Sequence, residues 1–93
     1  MSFDFGWDEE KARGNIEKHQ ISFAEAATVF GDPLSVSISD AYHSSDEDRF
    51  MIVGESEQGR LLVITYTEPG DSIRIISARK ANRRERIDYE RNA

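Results

Sequence analysis

The sequence contains no cysteine, which excludes both disulfide bridges and thiolate chemistry. Its N-terminus is acidic and aromatic, unlike the basic start and apolar middle of a secretory signal peptide. No apolar run approaches the roughly 20 residues that a membrane-spanning helix requires. We therefore expect a cytoplasmic protein that does not interact with membranes.

Motifs for several common chemistries are also missing. The chain has no glycine-rich phosphate loop of the Walker or dinucleotide type and no His-Glu-x-x-His zinc sequence. Its two histidines, His19 and His43, lie on different predicted elements without ligand spacing. The acidic run over residues 46–48 lacks the glycine pattern of a calcium loop and is expected to be solvated. We expect neither a metal site nor a cofactor.

A chain of 93 residues, 38% of them hydrophobic, is long enough for one core only, so we predict a single domain over residues 1–93. The formal net charge of −6 conceals an uneven distribution. Seven cations and three anions lie between residues 74 and 91, whereas three cations and eleven anions lie between residues 1 and 48. Because local charge decides where a phosphate backbone can bind, RNA or an acidic protein is the first partner to consider.

Two helices are predicted in the N-terminal third. Asp8 is a suitable N-cap for a helix over Glu9–His19, on which Ala12, Ile16 and His19 would share the buried face. The second helix starts after Ser22, which fits a reciprocal capping box with Glu25, and it ends at the Gly-Asp-Pro sequence of residues 31–33.

Strands are predicted beyond this point. Apolar residues alternate with serine over residues 34–38, and denser apolar runs follow at 50–53, 61–64 and 72–78. The loops between them are short, which favours an antiparallel meander. Residues 3–5 could add a short edge strand. The predicted class is α+β, with two N-terminal helices packed on a four-stranded antiparallel sheet.

A last helix, over about residues 83–91, is predicted from the capping pair Asn82 and Glu85. It is basic and poor in apolar residues, so packing on its own sheet would stabilise it little. We expect it to be loosely docked or to be stabilised by a ligand or partner.

Arginines near a sheet, together with His19, Tyr66 and Tyr89, suit cleavage of RNA without a metal. The 2′-hydroxyl of the substrate attacks the adjacent phosphorus, arginine forks offset the added negative charge, and a histidine or tyrosine moves protons. Each residue also has a structural interpretation. His19 could stabilise a helix end, Tyr66 and Tyr89 could pack in or against the sheet, and Arg49 could pair with a carboxylate of the acidic loop.

The basic residues of the last strand and helix allow two interpretations as well. Arg74 on a sheet face needs either a carboxylate or a bound phosphate. Simple strand alternation places Arg79 on the opposite face from Arg74, so the two converge only if the strand bends or ends first. The arginines at positions 83, 84 and 86 could be a solvated helix face.

Several segments resemble, in order, the BrnT-type toxins of bacterial type II toxin–antitoxin systems. The resemblance covers nearly the whole chain and rests on Phe5-Gly-Trp-Asp-Glu-Glu-Lys11, Asn15-Ile-Glu-Lys-His19, Ser22-Phe-Ala-Glu25-Ala-Ala-Thr-Val-Phe30-Gly-Asp-Pro33, Asp48-Arg-Phe50, Gly54, Arg74-Ile-Ile-Ser-Ala-Arg79 and Arg83-Arg-Glu-Arg-Ile-Asp-Tyr-Glu90. The family's usual glycine after the histidine is Gln20 here.

The resemblance implies a RelE-like fold and a metal-independent ribonuclease that blocks translation. It also implies neutralisation by a BrnA-type antitoxin with a ribbon-helix-helix part, and contact with operator DNA only through the antitoxin complex. The matching family positions are His19, Arg49, Arg74, Arg79, Arg83 and Tyr89.

As a working hypothesis, Arg74 and Arg79 hold the scissile phosphate, and His19 or Tyr89 transfers protons. RNA would be bound by Arg49, Lys80, Arg83, Arg84 and Arg86. Replacing Arg79 by alanine is then expected to abolish toxicity with little change in stability. The alternative is a non-enzymatic regulatory subunit whose basic helix binds an acidic antitoxin segment as a co-repressor.

Overall fold

The computed structural model describes residues 4–38 and 49–92, and within them it confirms the predicted α+β class. The sequence-based expectations for the acidic loop and His43 lie outside the described residues. The elements, in chain order, are β1 (Asp4–Gly6), α1 (Glu9–His19), α2 (Phe23–Thr28), a 3₁₀ turn (Val29–Gly31), β2 (Val36–Ile38), β3 (Phe50–Glu55), β4 (Leu61–Thr67), β5 (Ser72–Lys80) and α3 (Arg83–Arg91).

The strands form a mixed sheet in the order β1-β5-β4-β3-β2. β2 to β5 pair antiparallel, as the short loops predicted. The extra N-terminal strand is present as β1, and it runs parallel to β5, with Asp4 opposite Ser72 and Gly6 opposite Arg74. A chain that leaves β1 parallel to β5 enters α1 directly beside the middle of β5.

The two faces of the sheet are covered unequally. α1 and α2 cover one face, where the main core includes Phe23, Leu62 and Ile75, all nearly inaccessible to solvent. The opposite face carries a smaller cluster centred on Val53 and Val63, against which Tyr89 of α3 packs. α3 has no fully buried residue, so it is docked lightly, as its composition predicted. Within residues 4–38 and 49–92, part of this second face is therefore uncovered, and we call this face the open face.

The buried side of α1 differs from the sequence-based prediction. Ala12 and Asn15 are buried, whereas Ile16 is 48% exposed and His19 is only half-buried. Asn15 Nδ2 donates hydrogen bonds to the carbonyl oxygens of Ile21 and Ala78, both at 2.9 Å, and Asn15 Oδ1 accepts one from the Ala78 N–H at 3.1 Å. β1 ends its pairing with β5 at residue 74, so this amide takes the place of a strand partner farther along β5.

The cap of α2 is formed by half of the predicted box. Ser22 Oγ accepts from the N–H of Glu25 at 3.0 Å, but the Glu25 side chain does not return to Ser22. Its Oε2 instead accepts from Ser56 Oγ at 2.7 Å and from Arg60 Nε at 2.8 Å. Glu25 thus fixes the β3–β4 hairpin to α2. The full reciprocal box occurs at α3, between Asn82 and Glu85.

No helix within the described ranges is long and apolar enough to cross a membrane.

Candidate active site

An irregularity in the β4–β5 pairing determines which residues reach the open face. Thr65 of β4 pairs with Ser77, but the next residue, Tyr66, pairs with Ile75. Ile76 is therefore an extra residue on β5, which is the pattern of a β-bulge. Bulges commonly redirect side chains beside active sites.

The bulge brings two arginines to the same face of the sheet. Ile75 and Ala78 both point into the main core, although they are three residues apart. The alternation of side chains is thus reversed within β5, and Arg74 and Arg79 both lie on the open face. Simple alternation of side chains predicted that the two arginines lie on opposite faces. That prediction is wrong because the extra residue, Ile76, lies between them.

Arg74 lines a cavity of about 370 Å³ at one end of the open face. Thr67 is its partner on β4, and Arg49 lies just before β3, so three neighbouring strands contribute to one wall. Lys11, in the first turn of α1, contributes a third cation. Among the residues that the structure describes, the lining contains no carboxylate and none of these cations forms an ion pair. The described lining is Lys11, Arg49, Thr67, Pro69, Arg74 and Ile76, and we call this cavity the basic cavity.

Arg79, unlike Arg74, is paired with a carboxylate. Its Nη1 and Nη2 donate to the two carboxylate oxygens of Glu85 at 2.8 and 2.7 Å. The Arg79 guanidinium lowers the pKa of Glu85, and the carboxylate raises the pKa of Arg79. Glu85 Oε1 also accepts from the N–H of Asn82 at 2.8 Å, as part of the α3 capping box. Glu85, the third residue of α3, therefore occupies the guanidinium fork of Arg79.

Tyr89 anchors α3 to the rest of the molecule. Its hydroxyl donates to Asp32 Oδ2 at 2.7 Å, and this bond, together with burial and nearby carboxylates, raises the pKa of Tyr89 to about 12. Burial alone would raise the pKa of Asp32, but N–H bonds from Glu55 and Leu34 and the bond from Tyr89 hold it below its ordinary value. Asp32 thus connects the end of the 3₁₀ turn to β3 and to α3.

Gly54 allows this close approach. A Cβ at position 54 would lie 2.9 Å from Val29 Cγ1 and 3.2 Å from Asp32 Oδ2. The role of Asp32 was not predicted from the sequence, because an aspartate before Pro33 is already accounted for as part of a sequence that ends a helix. The signal that was available is the glycine directly after the apolar run 50–53, because a glycine within a strand often marks a close backbone approach.

The basic residues of α3 are separated from the basic cavity. Lys80 and Arg86 line a second cavity of about 420 Å³, between α3 and the β3–β4 hairpin, whose lining also includes Tyr89 and two glutamates. Arg83 and Arg84 are exposed on α3, and Arg84 has a weak surface contact with Asp88 at 3.9 Å. This second cavity carries both signs of charge and is less suited to a phosphate.

The two remaining candidates lie elsewhere. His19 lines neither cavity, and it is eight residues beyond Lys11 on α1, which corresponds to about 12 Å along the helix axis. Tyr66 is 8% exposed, with the rings of Phe30 and Phe50 at centroid distances of 5.0 and 5.6 Å, and is therefore a core residue. Within residues 4–38 and 49–92, no group of three or more His, Asp or Glu side chains is placed to hold a metal ion.

Comparison with known proteins identifies the family. Residues 7–85 match the family of the ribonuclease toxin BrnT of type II toxin–antitoxin systems. The fold is similar to the crystal structure of the Brucella abortus ribonuclease toxin BrnT, with a TM-score of 0.66 and 24% identity over 88% of this chain and 100% of that chain. No protein of curated function gives a significant match. Because the family match spans most of the sequence, the chain belongs to the BrnT family of ribonuclease toxins of type II toxin–antitoxin systems.

Proposed function

We propose that this chain cleaves RNA on the open face of its sheet, with Arg74 as the principal phosphate ligand, by a mechanism that needs no metal. The observation that carries the proposal is the state of Arg74. It is exposed on the open face, without a carboxylate partner in the described residues, and it shares the basic cavity with Arg49. A guanidinium whose fork is vacant can bind two phosphate oxygens at once. Membership of a ribonuclease toxin family supports RNA as the substrate.

The proposed reaction uses the nucleophile that RNA itself provides. The 2′-oxygen attacks the adjacent phosphorus, and the bond from phosphorus to the 5′-oxygen of the next nucleotide breaks. The 2′-hydroxyl loses a proton and the departing 5′-oxygen gains one, which leaves a 2′,3′-cyclic phosphate and a 5′-hydroxyl. Negative charge accumulates on the non-bridging oxygens in the transition state. Arg74 would bind these oxygens and offset that charge, with Arg49 on the same or a neighbouring phosphate.

Tyr89 and His19, the two side chains considered for proton transfer, differ in their hydrogen bonds and position. At neutral pH the Tyr89 phenol keeps its proton, since its pKa is raised to about 12, and that proton is donated to Asp32. We therefore propose that Tyr89 positions α3. His19 has no hydrogen-bond partner in the described part of the chain, but it lies about 12 Å from Lys11 along α1 and lines neither cavity, so it is out of hydrogen-bond reach of a phosphate held in the basic cavity. We therefore propose proton transfer by neither side chain at this phosphate.

The other basic residues are proposed to extend the RNA-binding surface. Glu85 takes one N–H donor from each terminal nitrogen of Arg79, so Arg79 has fewer donors left for a phosphate than Arg74. Beyond Arg79, Lys80 and the α3 arginines at positions 83, 84 and 86 provide exposed positive charge. These residues would attract the RNA backbone without reading its sequence.

We further propose that RNA cleavage stops translation in the cytoplasm and that a BrnA-type antitoxin neutralises the chain. Membership of a type II toxin family supports a protein antitoxin. The antitoxin would carry a ribbon-helix-helix domain, through which the complex would contact operator DNA. A gene for such a small protein beside the gene for this chain, and co-purification of the two products, would support this partner. Co-expression that leaves toxicity unchanged would contradict it.

The test is RNA cleavage by the purified chain in EDTA, both with free RNA and in a cell-free translation mixture. Arg74→Ala is expected to lower kcat/KM by about 100-fold or more, the scale for losing one transition-state charge contact. Arg74→Lys should recover part of the loss. Arg13→Ala is the matched control, since Arg13 is an exposed arginine on α1 that lines neither cavity.

Each result has a definite meaning. Cleavage that EDTA abolishes would contradict metal independence, and a fully active Arg74→Ala variant would contradict the site. Circular dichroism of each variant shows whether it is folded. A folded chain that cleaves RNA in neither mixture would favour the alternative, a non-enzymatic regulatory subunit that binds the antitoxin.

A further inference from the structure

We infer that the basic cavity is a subsite for one nucleotide of the RNA chain and that Lys11 of α1 is one of its phosphate ligands. This inference rests on the proposed function, because it specifies how the same substrate is held. Lys11 was not among the residues that the sequence indicated.

The first argument is the convergence of three cations from separate elements. Thr67 and Arg74 are direct partners on β4 and β5, and Arg49 precedes β3 on the same side. Neighbouring strands are about 4.8 Å apart, so the two arginines flank Thr67 within the span of one phosphate group and its ligands. Lys11 is brought beside them because β1 pairs with β5 up to Arg74 and α1 starts three residues later.

The second argument is that this arrangement is unfavourable without a ligand. Lys11 lies in the first turn of α1, where the helix dipole repels a cation. Arg49 and Arg74 are like charges on the same side of the sheet, and the described lining of the cavity offers no carboxylate to either. The whole chain has a net charge of −6, so carboxylates are abundant elsewhere. An anion in the cavity would relieve both repulsions at once.

The third argument concerns size and the nature of the walls. The cavity volume of about 370 Å³ lies at the lower end of the range for small-molecule sites, roughly 300–1,000 Å³, and exceeds what a bare phosphate fills. Pro69 and the bulged Ile76 supply an apolar wall, and Thr67 supplies a hydroxyl. The cations would hold the phosphate, and the apolar wall would contact the ribose and base.

The experiment is a titration of the ¹⁵N-labelled chain with uridine 3′-monophosphate, with inorganic phosphate and with uridine, followed by NMR. Uridine 3′-monophosphate is expected to shift the amide signals of Thr67, Arg74 and Ile76 to saturation, and to bind more tightly than inorganic phosphate. Uridine alone should shift none of them. Lys11→Ala should weaken the binding of the nucleotide about tenfold, as expected for one charge-assisted contact.

Two variants serve as controls. Lys11→Arg keeps the positive charge and should retain the affinity within about threefold. Lys18→Ala removes an exposed lysine farther along the same helix, outside both cavities, and should leave the affinity unchanged. Unchanged affinity in Lys11→Ala would overturn the role of Lys11. Equal affinities for the nucleotide and inorganic phosphate would overturn the nucleotide subsite.

A parallel cleavage assay separates this inference from the proposed function. Lys11→Ala should lower kcat/KM for RNA about tenfold, because Lys11 would contact the phosphate that Arg74 also binds. RNA cleavage with an unchanged kcat/KM in Lys11→Ala would overturn the role of Lys11 and leave the proposed function standing. If the chain cleaves no RNA but binds the nucleotide in a Lys11-dependent way, the proposed function would be overturned and the subsite would stand.

Discussion

Arg74 and Arg79 are the same residue type on the same strand and the same face, and they differ in their partners. The side chain of Arg79 is 37% exposed and bound through both terminal nitrogens to Glu85, whose own side chain is only 14% exposed. Arg74 has no such partner in the described residues. We therefore propose Arg74, which has no carboxylate partner in the described residues, as the better phosphate ligand of the two.

Arg79→Ala is expected to destabilise the protein by about 1–2 kcal/mol, because Glu85 loses its partner in a half-buried position and the cap of α3 is loosened. This differs from the little change in stability that we expected from the sequence. Urea unfolding of Arg79→Ala, Glu85→Ala and the double variant gives the coupling energy between the two side chains. Arg74→Ala, measured alongside, should change the free energy of unfolding by less than about 0.5 kcal/mol.

A coupling energy near zero would show that the Arg79–Glu85 pair contributes nothing to stability. Arg79 would then be free to act as a phosphate ligand, as the working hypothesis from the sequence had it.

At the scale of elements, the contact between α1 and β5 holds the basic cavity together. β1 pairs with only the first part of β5, and beyond it the side-chain amide of Asn15 satisfies the backbone of Ala78. α1 is thus fixed to the edge of the sheet by hydrogen bonds as well as by apolar packing. The position of Lys11, one turn earlier on the same helix, depends on this attachment.

Asn15→Ala is expected to lower the free energy of unfolding by about 2–3 kcal/mol, since it leaves three buried backbone groups without their hydrogen bonds. Ile16→Ala, at the adjacent and 48% exposed position, should change it by less than about 0.5 kcal/mol. Chemical denaturation of the two variants measures both changes in the free energy of unfolding. If Ile16 were buried, as the sequence predicted, its truncation would cost about 2–5 kcal/mol and the order of the two effects would be reversed.

Features with a local physical cause could be predicted from the sequence. The bounds of α1 and α3 follow from their caps and from charges placed favourably along the helix dipole, and the strands follow from apolar runs between turns. Membership of the family was also recognisable, because several weak segments occur in one order.

Features that depend on a distant partner could not be predicted. The bulge at Ile76 depends on the pairing register between β4 and β5. The sequence alone therefore did not predict that Arg74 and Arg79 lie on the same face. The burial of Asn15 depends on where β1 stops pairing. Lys11 has no local signature at all, since a lysine in a first helical turn suggests only a solvated position.

At the scale of the whole molecule, three carboxylates connect elements that are far apart in the sequence. Glu25 joins α2 to the β3–β4 hairpin, Asp32 joins the 3₁₀ turn to β3 and α3, and Glu85 joins α3 to β5. Hydrogen bonds from Arg60 and Ser56 outweigh the effect of burial and lower the pKa of Glu25. The pKa values of Asp32 and Glu85 are also below their ordinary values. The fold is therefore stabilised by the ionised form of all three groups.

Acidification is expected to destabilise the protein in a defined window. Each folded-state pKa lies below its ordinary value, 4.5 for the glutamates and 3.8 for Asp32, so their contributions are complete above those values. The contributions are lost as the pH falls through the lowered folded-state values. Urea unfolding between pH 7 and pH 3 should show a plateau followed by a decline. Glu25→Gln should be less stable at pH 7 and should decline less steeply, and an equal decline would contradict the role of Glu25.

The order of the strands also has a consequence for synthesis on the ribosome. β5 is the last strand to be made, yet it lies between β1 and β4, and it carries Arg74 and the partner of Asn15. α1 and α2 leave the ribosome well before β5, on which they pack, so their contacts with β5 form only at the end of translation. The nascent chain cannot assemble the basic cavity before β5 is made, so the RNA binding that we propose there can begin only when synthesis is almost complete.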